Sequence, residues 1–467
     1  MPSTDRLKIS LAQLNPTVGD IAGNVTKLEA ALATARGQGA DLLVTSELFL
    51  AGHPAEDLLL RADFLDAIEQ AVEALKPATA AGTALLVGAP WRHEGKVHNA
   101  ALLLDRGELR AVRFKHHLSH DGVFDEPRRF AAGPAPGPIA FRGVRLGVMI
   151  AQDMATPDVT ETLEESGAQL LVVLNGSPFE TDSQDARLQQ AIQRVQESGL
   201  ALVAVNQIGG QDELVFDGAS FALDRAVRLR VQAPSWQEAV VPTEWVLDDD
   251  ERWAVEPGPM NAPLEGPGAV YQAVMLGLRD FVAKNGFKAV AVDLFSEWAT
   301  ALVEAIAVDA LGSERVSSLD DADDGSIALS TLDKTDLAQG RGDLGGDYAV
   351  LRDLYRTTAI ELARWRNRNK PAGALGPEQT SMPERALKPT AEDTALDDIL
   401  SCLIERDMAL DAIVARGHAR ENVTQVWRLL DRGEYKRRQA PLGVKTTRRA
   451  FGRDRRYPIT NSFRPAE

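Results

Sequence analysis

The chain has 467 residues, 44 % hydrophobic and 25 % charged, the profile of a soluble globular protein large enough for two domains. Its 51 basic and 68 acidic side chains leave a formal net charge of −17, which argues against a nucleic-acid partner. The single cysteine excludes an intramolecular disulfide, the N-terminus MPSTDRLKIS lacks a signal-like pattern, and no apolar run approaches a membrane span of about 18 residues, so a cytoplasmic location is expected.

Residues 7–14 alternate as a strand, and 24–37 (NVTKLEAALATARG) follow as an amphipathic helix with a glycine stop. Residues 40–47 (ADLLVTSE) form a second strand ending in a carboxylate, 55–75 a helix and 84–90 a strand. Two hairpin strands flank Asp105-Arg106-Gly107 and lead to Phe114-Lys115. Strands at 144–150, 170–174 and 201–205 alternate with helices near Asp158 and Gln184, the pattern of a layered α/β domain.

The apolar run 144–150 stops abruptly at Ala151-Gln152-Asp153, before the helix expected from Asp158. A strand that ends in a sharp turn before a helix is where α/β enzymes commonly present a nucleophile. Alanine stands there, and a methyl group has no lone pair with which to attack a carbonyl. Glu47 and Lys115 close two other strands; a carboxylate base and an ammonium converging on a third strand end could activate a nucleophile and stabilise an oxyanion. Taken singly, each reads first as a solvated loop residue or half of an ion pair, and only the combination points to chemistry.

Five segments carry a family resemblance: LAQLNPTVGDIAGN at 11–24, SELFLAGHPAEDLLLR at 46–61, FKHHL with GVFDE within 114–126, NGSPF at 175–179, and VNQIGGQDELVFDGASF at 205–221. Together they resemble the carbon–nitrogen hydrolase (nitrilase-like) domain of glutamine-dependent NAD+ synthetases. The resemblance implies Glu47 as base, Lys115 as oxyanion stabiliser and Ser177 as a glutamine contact, with Ala151 where the family has its nucleophilic Cys. Other departures accompany it: Gln152 replaces the usual Glu, Asp121 stands where a Tyr helps hold glutamine, and a basic residue is missing near Ser183.

Residues 234–267 turn loop-like, with the acid run DDDE at 248–251 and prolines at 257, 259, 263 and 267 marking a linker. A helix over 269–284 places Val270, Val274, Leu278 and Phe281 on one face; a strand over 289–295 and a helix over 297–311 follow. Strand, tight loop and helix can cradle a phosphate where glycines let the backbone approach, and this loop has none. The resemblance continues: the family's ATP loop LSGGIDSAL reads LFSEWATAL at 294–302, where Phe295 and Trp298 would crowd the phosphates and Glu297 would repel them. After Val316 a long family segment is absent, leaving SSLDDADDGSI before Ala328; about 30 residues are needed for one βαβ unit. The family's TTGNKSEM reads STLDKTDL at 330–337, so Thr331 matches an ATP contact and Asp336 a deamido-NAD contact. Cys402, in the periodic run DDILSCLIERD, reads as helix packing. The tail at 434–463 carries nine Lys/Arg between Lys436 and Arg456. Lys436 matches a dinucleotide contact, RNA binding is a second possibility, and a surface segment pairing with acidic surface a third.

The expected architecture is α/β: a nitrilase-like α-β-β-α sandwich over 1–240, a linker at 241–267, and a truncated adenine-nucleotide hydrolase-like (Rossmann-type) domain with a basic tail over 268–467. The expected function is a catalytically inactive homologue of the synthetase with a binding, assembly or regulatory role. The alternative is residual or repurposed enzymatic activity, including amidation of deamido-NAD to NAD+. No cofactor, metal, nucleic-acid or membrane partner is expected. ATP with Mg2+ and deamido-NAD enter only if the second domain still binds them, and homo-oligomers or hetero-oligomers with an active synthetase are the expected assemblies.

Overall fold

Side-chain alternation along strands decides the layering of the first half of the chain. The computed structural model describes residues 5–80, 82–120, 122–181, 183–292, 298–322, 324–340, 345–384 and 386–463. One compact unit takes in most of the chain to Pro263; a second comprises Leu264–Glu467 with the short segments Phe179–Thr181 and Asp212–Val215.

In the first unit β1 (Arg6–Gln13) leads through α1 (Ile21–Gly37) to β2 (Leu42–Thr45), then through α2 (Ala62–Leu75) to β3 (Ala84–His93), β4 (Lys96–Asp105) and β5 (Glu108–Phe114). Next come β6 (Ile139–Phe141), β7 (Val144–Ile150), α3 (Pro157–Glu165), β8 (Leu170–Leu174), α4 (Ser183–Ser198) and β9 (Leu202–Val205). A hairpin of β10 (Ile208–Gln211) and β11 (Leu214–Asp217) precedes β12 (Phe221–Leu223), β13 (Leu229–Gln232), β14 (Ala239–Leu247) and β15 (Trp253–Val255).

Two sheets result, ordered β15-β14-β1-β2-β3-β4-β5 and β13-β12-β9-β8-β7-β6. Leu7, Ile9, Val44 and Leu86 of the first share one buried cluster with Val148, Ile150, Val172 and Val203 of the second. Alternate residues face the other way: Leu43, Leu85 and Val87 pack with Leu28 and Leu32 of α1 and Ile68 and Val72 of α2. Met149, Leu171 and Val173 likewise pack with Val159 and Leu163 of α3 and Val195 of α4. Helix, sheet, sheet, helix is the sandwich the resemblance implies.

The expected linker at 241–267 needs correction. Residues 239–247 form β14, paired with all of β1 from Gln13↔Ala239 to Arg6↔Val246, and the acid run is the turn into β15. Val241, Thr243 and Trp245 alternate inward as a half-buried strand should. Pro242 disguises the pattern, because proline interrupts a ladder except at an edge; β15 pairs only with Trp245–Leu247, leaving Pro242 on a local edge.

The second unit is built on α5 (Gly266–Lys284), β16 (Ala289–Val292), α6 (Trp298–Leu311), β17 (Val316–Ser318), β18 (Ser326–Ser330), α7 (Lys334–Gln339) and β19 (Tyr348–Ala349). The strands lie in the order β17-β16-β18-β19, all parallel, an open α/β sheet. Only residues 319–325 join β17 to β18, on opposite sides of β16; a parallel crossover normally needs a dozen residues or more. The three-residue length of β17 shortens the return path. The segment absent after Val316 therefore leaves a continuous sheet and not a gap. The loop residues Phe295, Ser296 and Glu297 lie outside the described residues; Trp298 opens α6, half-buried.

Beyond the sheet follow α8 (Arg356–Arg368), α9 (Ala391–Ile404), α10 (Leu410–Val414), α11 (Arg420–Arg432) and α12 (Glu434–Arg437). Cys402 is buried in their shared core with Ile413, Val423 and Phe451, as expected for a packing residue. The basic tail does pair with carboxylates, but not wholly at the surface. Lys445 is 1 % exposed with Glu180 and Asp454, and Arg437 is buried on Glu434 and the Leu337 and Ala338 carbonyls. Among described residues no helix is long and apolar enough to cross a membrane.

Candidate active site

The C-terminal ends of β2, β7 and β8 and the end of β5 carry the groups of interest, since side chains just past parallel strands project beyond the sheet edge. Glu47 lies two residues beyond β2, and its N–H donates to Asn175 O beyond β8 (3.2 Å). Lys115 follows β5 directly. The structure brings these two sequence-predicted residues together: Lys115 Nζ donates to Glu47 Oε1 at 2.7 Å. Their side chains are 1 % and 2 % exposed.

A second carboxylate completes the cluster. Glu126 Oε2 lies 2.8 Å from Lys115 Nζ and accepts from Ser119 N–H at 2.7 Å. Asn99 Nδ2 donates to both acids, to Glu47 Oε1 at 2.8 Å and Glu126 Oε1 at 3.0 Å. Neither Glu126 nor Asn99 was singled out from the sequence, although Glu126 closes the quoted GVFDE segment. Burial alone would raise the Glu47 pKa, but the Lys115 charge, with hydrogen bonds from Lys115 and Asn99, overrides it and holds the carboxyl below its ordinary range. Burial would lower Lys115, yet the Glu47 and Glu126 carboxylates hold it well above its usual value. Both groups are therefore charged.

His53 packs on the far side of Glu47. Its ring stacks on Phe124 (5.1 Å between centroids), and Nε2 is 3.9 Å from Glu47 Oε2. Burial lowers its pKa against the pull of Glu47, so the imidazole is neutral and the 3.9 Å approach is not an ion pair. Neither ring nitrogen has a hydrogen-bond partner among the described residues. Gly176 makes the approach of β8's loop possible: a Cβ there would lie 2.6 Å from Glu47 Oε2 and 2.9 Å from His53 Cδ2. The next residue, Ser177, sits half-buried on the same loop. Its carbonyl accepts from Arg187 Nη1 (3.2 Å) and Asn206 Nδ2 (3.1 Å). Arg187 is itself buried against Asp217 at 2.7 Å, so this loop is braced by a basic residue four positions beyond Ser183.

Ala151 opens a single 3₁₀ turn, Ala151–Met154, directly after β7, and has φ +42°. That left-handed conformation costs an L-residue about 1–2 kcal/mol and is held from outside. Asp153, 1 % exposed, accepts from Ile150 N–H (3.1 Å), His116 N–H (3.0 Å) and His117 N–H (2.8 Å). Burial raises the Asp153 pKa, while those N–H donors and the charge of Lys115 oppose the rise. The turn is thus clamped to the segment following Lys115. Backbone strain is thus concentrated at a strand-to-helix turn, the kind of position at which α/β enzymes present a side chain. Asp121 lies outside the described residues.

In the second unit Thr331 and Asp336 flank the start of α7, whose N-cap Asp333 accepts from Asp336 N–H at 2.7 Å. Arg356 pairs with both Asp333 and Asp336. Burial, then the like charge of Asp336, pushes the Asp333 pKa up to about 7 against Arg356. Asp336 is thereby tied to a cation of its own unit. Lys436 is exposed on α12 and forms no described contact with either residue. The better-buried cation is Lys334, held by Asp353 (2.8 Å), Glu405 (2.6 Å) and Thr447 Oγ1 (2.6 Å).

The carbon-nitrogen hydrolase family matches residues 8–254, and the NAD synthase family residues 322–440. The glutamine-dependent NAD(+) synthetase of Rhodobacter capsulatus is 36 % identical over 552 positions, covering 99 % of both chains. That span exceeds this chain's 467 residues by 85, so the alignment opens gaps within this chain. The enzyme of the same description from Acinetobacter baylyi is 31 % identical over 98 % of this chain. A solved glutamine-dependent NAD+ synthetase from Acinetobacter baumannii, in complex with adenosine diphosphate, is 31 % identical with a TM-score of 0.75 over 99 % of this chain and 100 % of that one. A Cytophaga hutchinsonii synthetase shares the fold, with a TM-score of 0.79 at 16 % identity. On family matches, near-complete coverage and the site's layout, the chain belongs to the glutamine-dependent NAD(+) synthetase family.

Proposed function

We propose that this family member does not release ammonia from glutamine, and that its first unit serves binding, assembly or regulation, alone or alongside an active synthetase. The observation that carries the reading is Ala151 at the strained turn, whose Asp153 holds the His116 and His117 N–H groups directly after the Lys115 that pairs with Glu47. Thioester formation requires sulfur, and a carboxylate base and an ammonium have no thiol there to activate. Glutamate release from glutamine by the purified chain tests it: background rates are expected, and turnover above background would overturn it.

A second reading is amidation of deamido-NAD by free ammonia in the second unit. Likeness to the synthetases along the whole chain and the NAD synthase match support it. The gly-poor segment at 294–302 opposes it. The residues available to hold the substrates, Thr331, Asp336 and Lys436, include one carboxylate already paired with Arg356. NAD+ formation from deamido-NAD, Mg-ATP and ammonium separates the readings; any product above background favours the second.

A further inference from the structure

We propose that His116, His117 and Asp158 form a binding site for one divalent transition-metal ion of the Zn2+ type, beside the turn that carries Ala151. One ligand atom from each lies within 4.8 Å of the other two. His116 Nδ1 is 2.8 Å from Gly133 O. A carbonyl only accepts, so Nδ1 carries the proton and Nε2 presents its lone pair toward Asp158 Oδ2, 4.0 Å away. A backbone carbonyl on the remote imidazole nitrogen is the usual partner that sets the tautomer of a metal-binding histidine. His117 Nε2 is 2.7 Å from the same carboxylate oxygen.

Tetrahedral bonds of about 2.0–2.1 Å separate ligand atoms by about 3.3 Å, a spacing bracketed by the 2.7 Å and 4.0 Å from Asp158 Oδ2 to the two imidazole nitrogens. Both histidine backbones are fixed by Asp153 Oδ1, and the rings meet edge-on at 4.6 Å. The side chains are 29 %, 32 % and 51 % exposed, which leaves an ion a path in and a position for water. Two imidazoles and one carboxylate select Zn2+, Ni2+ or Cu2+ over Mg2+ or Ca2+, which favour all-oxygen shells.

The test is calorimetric titration of the chelator-stripped full chain with Zn2+, with Co2+ absorption as a second readout. One Zn2+ per chain and Co2+ d–d bands of low-coordinate geometry are expected. His117→Gln and Asp158→Asn should each weaken Zn2+ by more than the about 10–100-fold typical of losing an outer-shell partner. His93→Gln should leave it unchanged. Circular dichroism of the metal-free variants establishes that they fold, since both side chains are partly exposed. Absence of saturable Zn2+ binding, or equal affinity in wild type, His117→Gln and Asp158→Asn, would overturn the proposal.

Discussion

Lys115 Nζ sits between two buried carboxylates, 2.7 Å from Glu47 Oε1 and 2.8 Å from Glu126 Oε2. Removing one member of a buried ionic cluster strands the others, at a cost of about 3–5 kcal/mol. Lys115→Met is therefore expected to lower unfolding free energy in denaturant by about that amount. Adding Glu47→Gln and Glu126→Gln should recover part of the loss, because the stranded charges go with the cation. A loss below about 1 kcal/mol, the value of an exposed pair, would mean that water reaches the cluster.

Ala151 at φ +42° gives a second expectation. Glycine would relieve about 1–2 kcal/mol of left-handed strain and give back about 0.4–1 kcal/mol as unfolded-state entropy. Ala151→Gly should thus raise stability modestly, by up to about 1.6 kcal/mol. Ala151→Cys should be alkylated by iodoacetamide while the buried Cys402 is spared. Labelling confined to Cys402 would refute the placement of this turn as an accessible nucleophile position.

What was legible in the sequence follows from which signals are local. Strands 144–150 and 170–174 agree with β7 and β8 because apolar runs between turn signals need no partner to be read. The convergence of Glu47 with Lys115 was reached through strand ends and resemblance. Glu126 gives no signal in the sequence because its role exists only once the loop 11 residues on folds back on Lys115. Asn99 faces the cluster from β4, inside an otherwise apolar alternation that reads as sheet core. β14 reads as linker in the sequence because a proline counts against a strand until its neighbour's short reach is known.

Gly176 offers a test of how closely the β8 loop and Glu47 must approach. An added Cβ would stand 2.6 Å from Glu47 Oε2, and the carboxylate cannot swing away without pulling its other oxygen, Oε1, from Lys115 and Asn99. Gly176→Ala is expected to destabilise by about 1–3 kcal/mol, the range for overpacking a tight site. Combining it with Glu47→Gly, which removes the clashing carboxylate, should be less than additive. Full additivity would show that the clash is absorbed elsewhere.

His53 supplies a pH-dependent prediction whose sign is fixed by its surroundings. Burial lowers its folded pKa, opposed by Glu47 and Glu126 and reinforced by Lys115. In the unfolded chain an imidazole titrates near about 6.5. Between the two values the unfolded state binds a proton that the folded state refuses, so stability rises with pH through this window and is lost as pH falls below about 6.5. The slope from one such group is at most about 1.4 kcal/mol per pH unit. His53→Phe keeps the ring contact with Phe124 and removes two buried nitrogens that lack partners among the described residues. Denaturant unfolding at intervals from neutral to mildly acid pH should therefore show a slope shallower by close to one proton in the variant, with equal or greater stability at the acid end. Identical slopes would mean that the imidazole takes up its proton inside the folded protein, drawn by the 3.9 Å approach to Glu47.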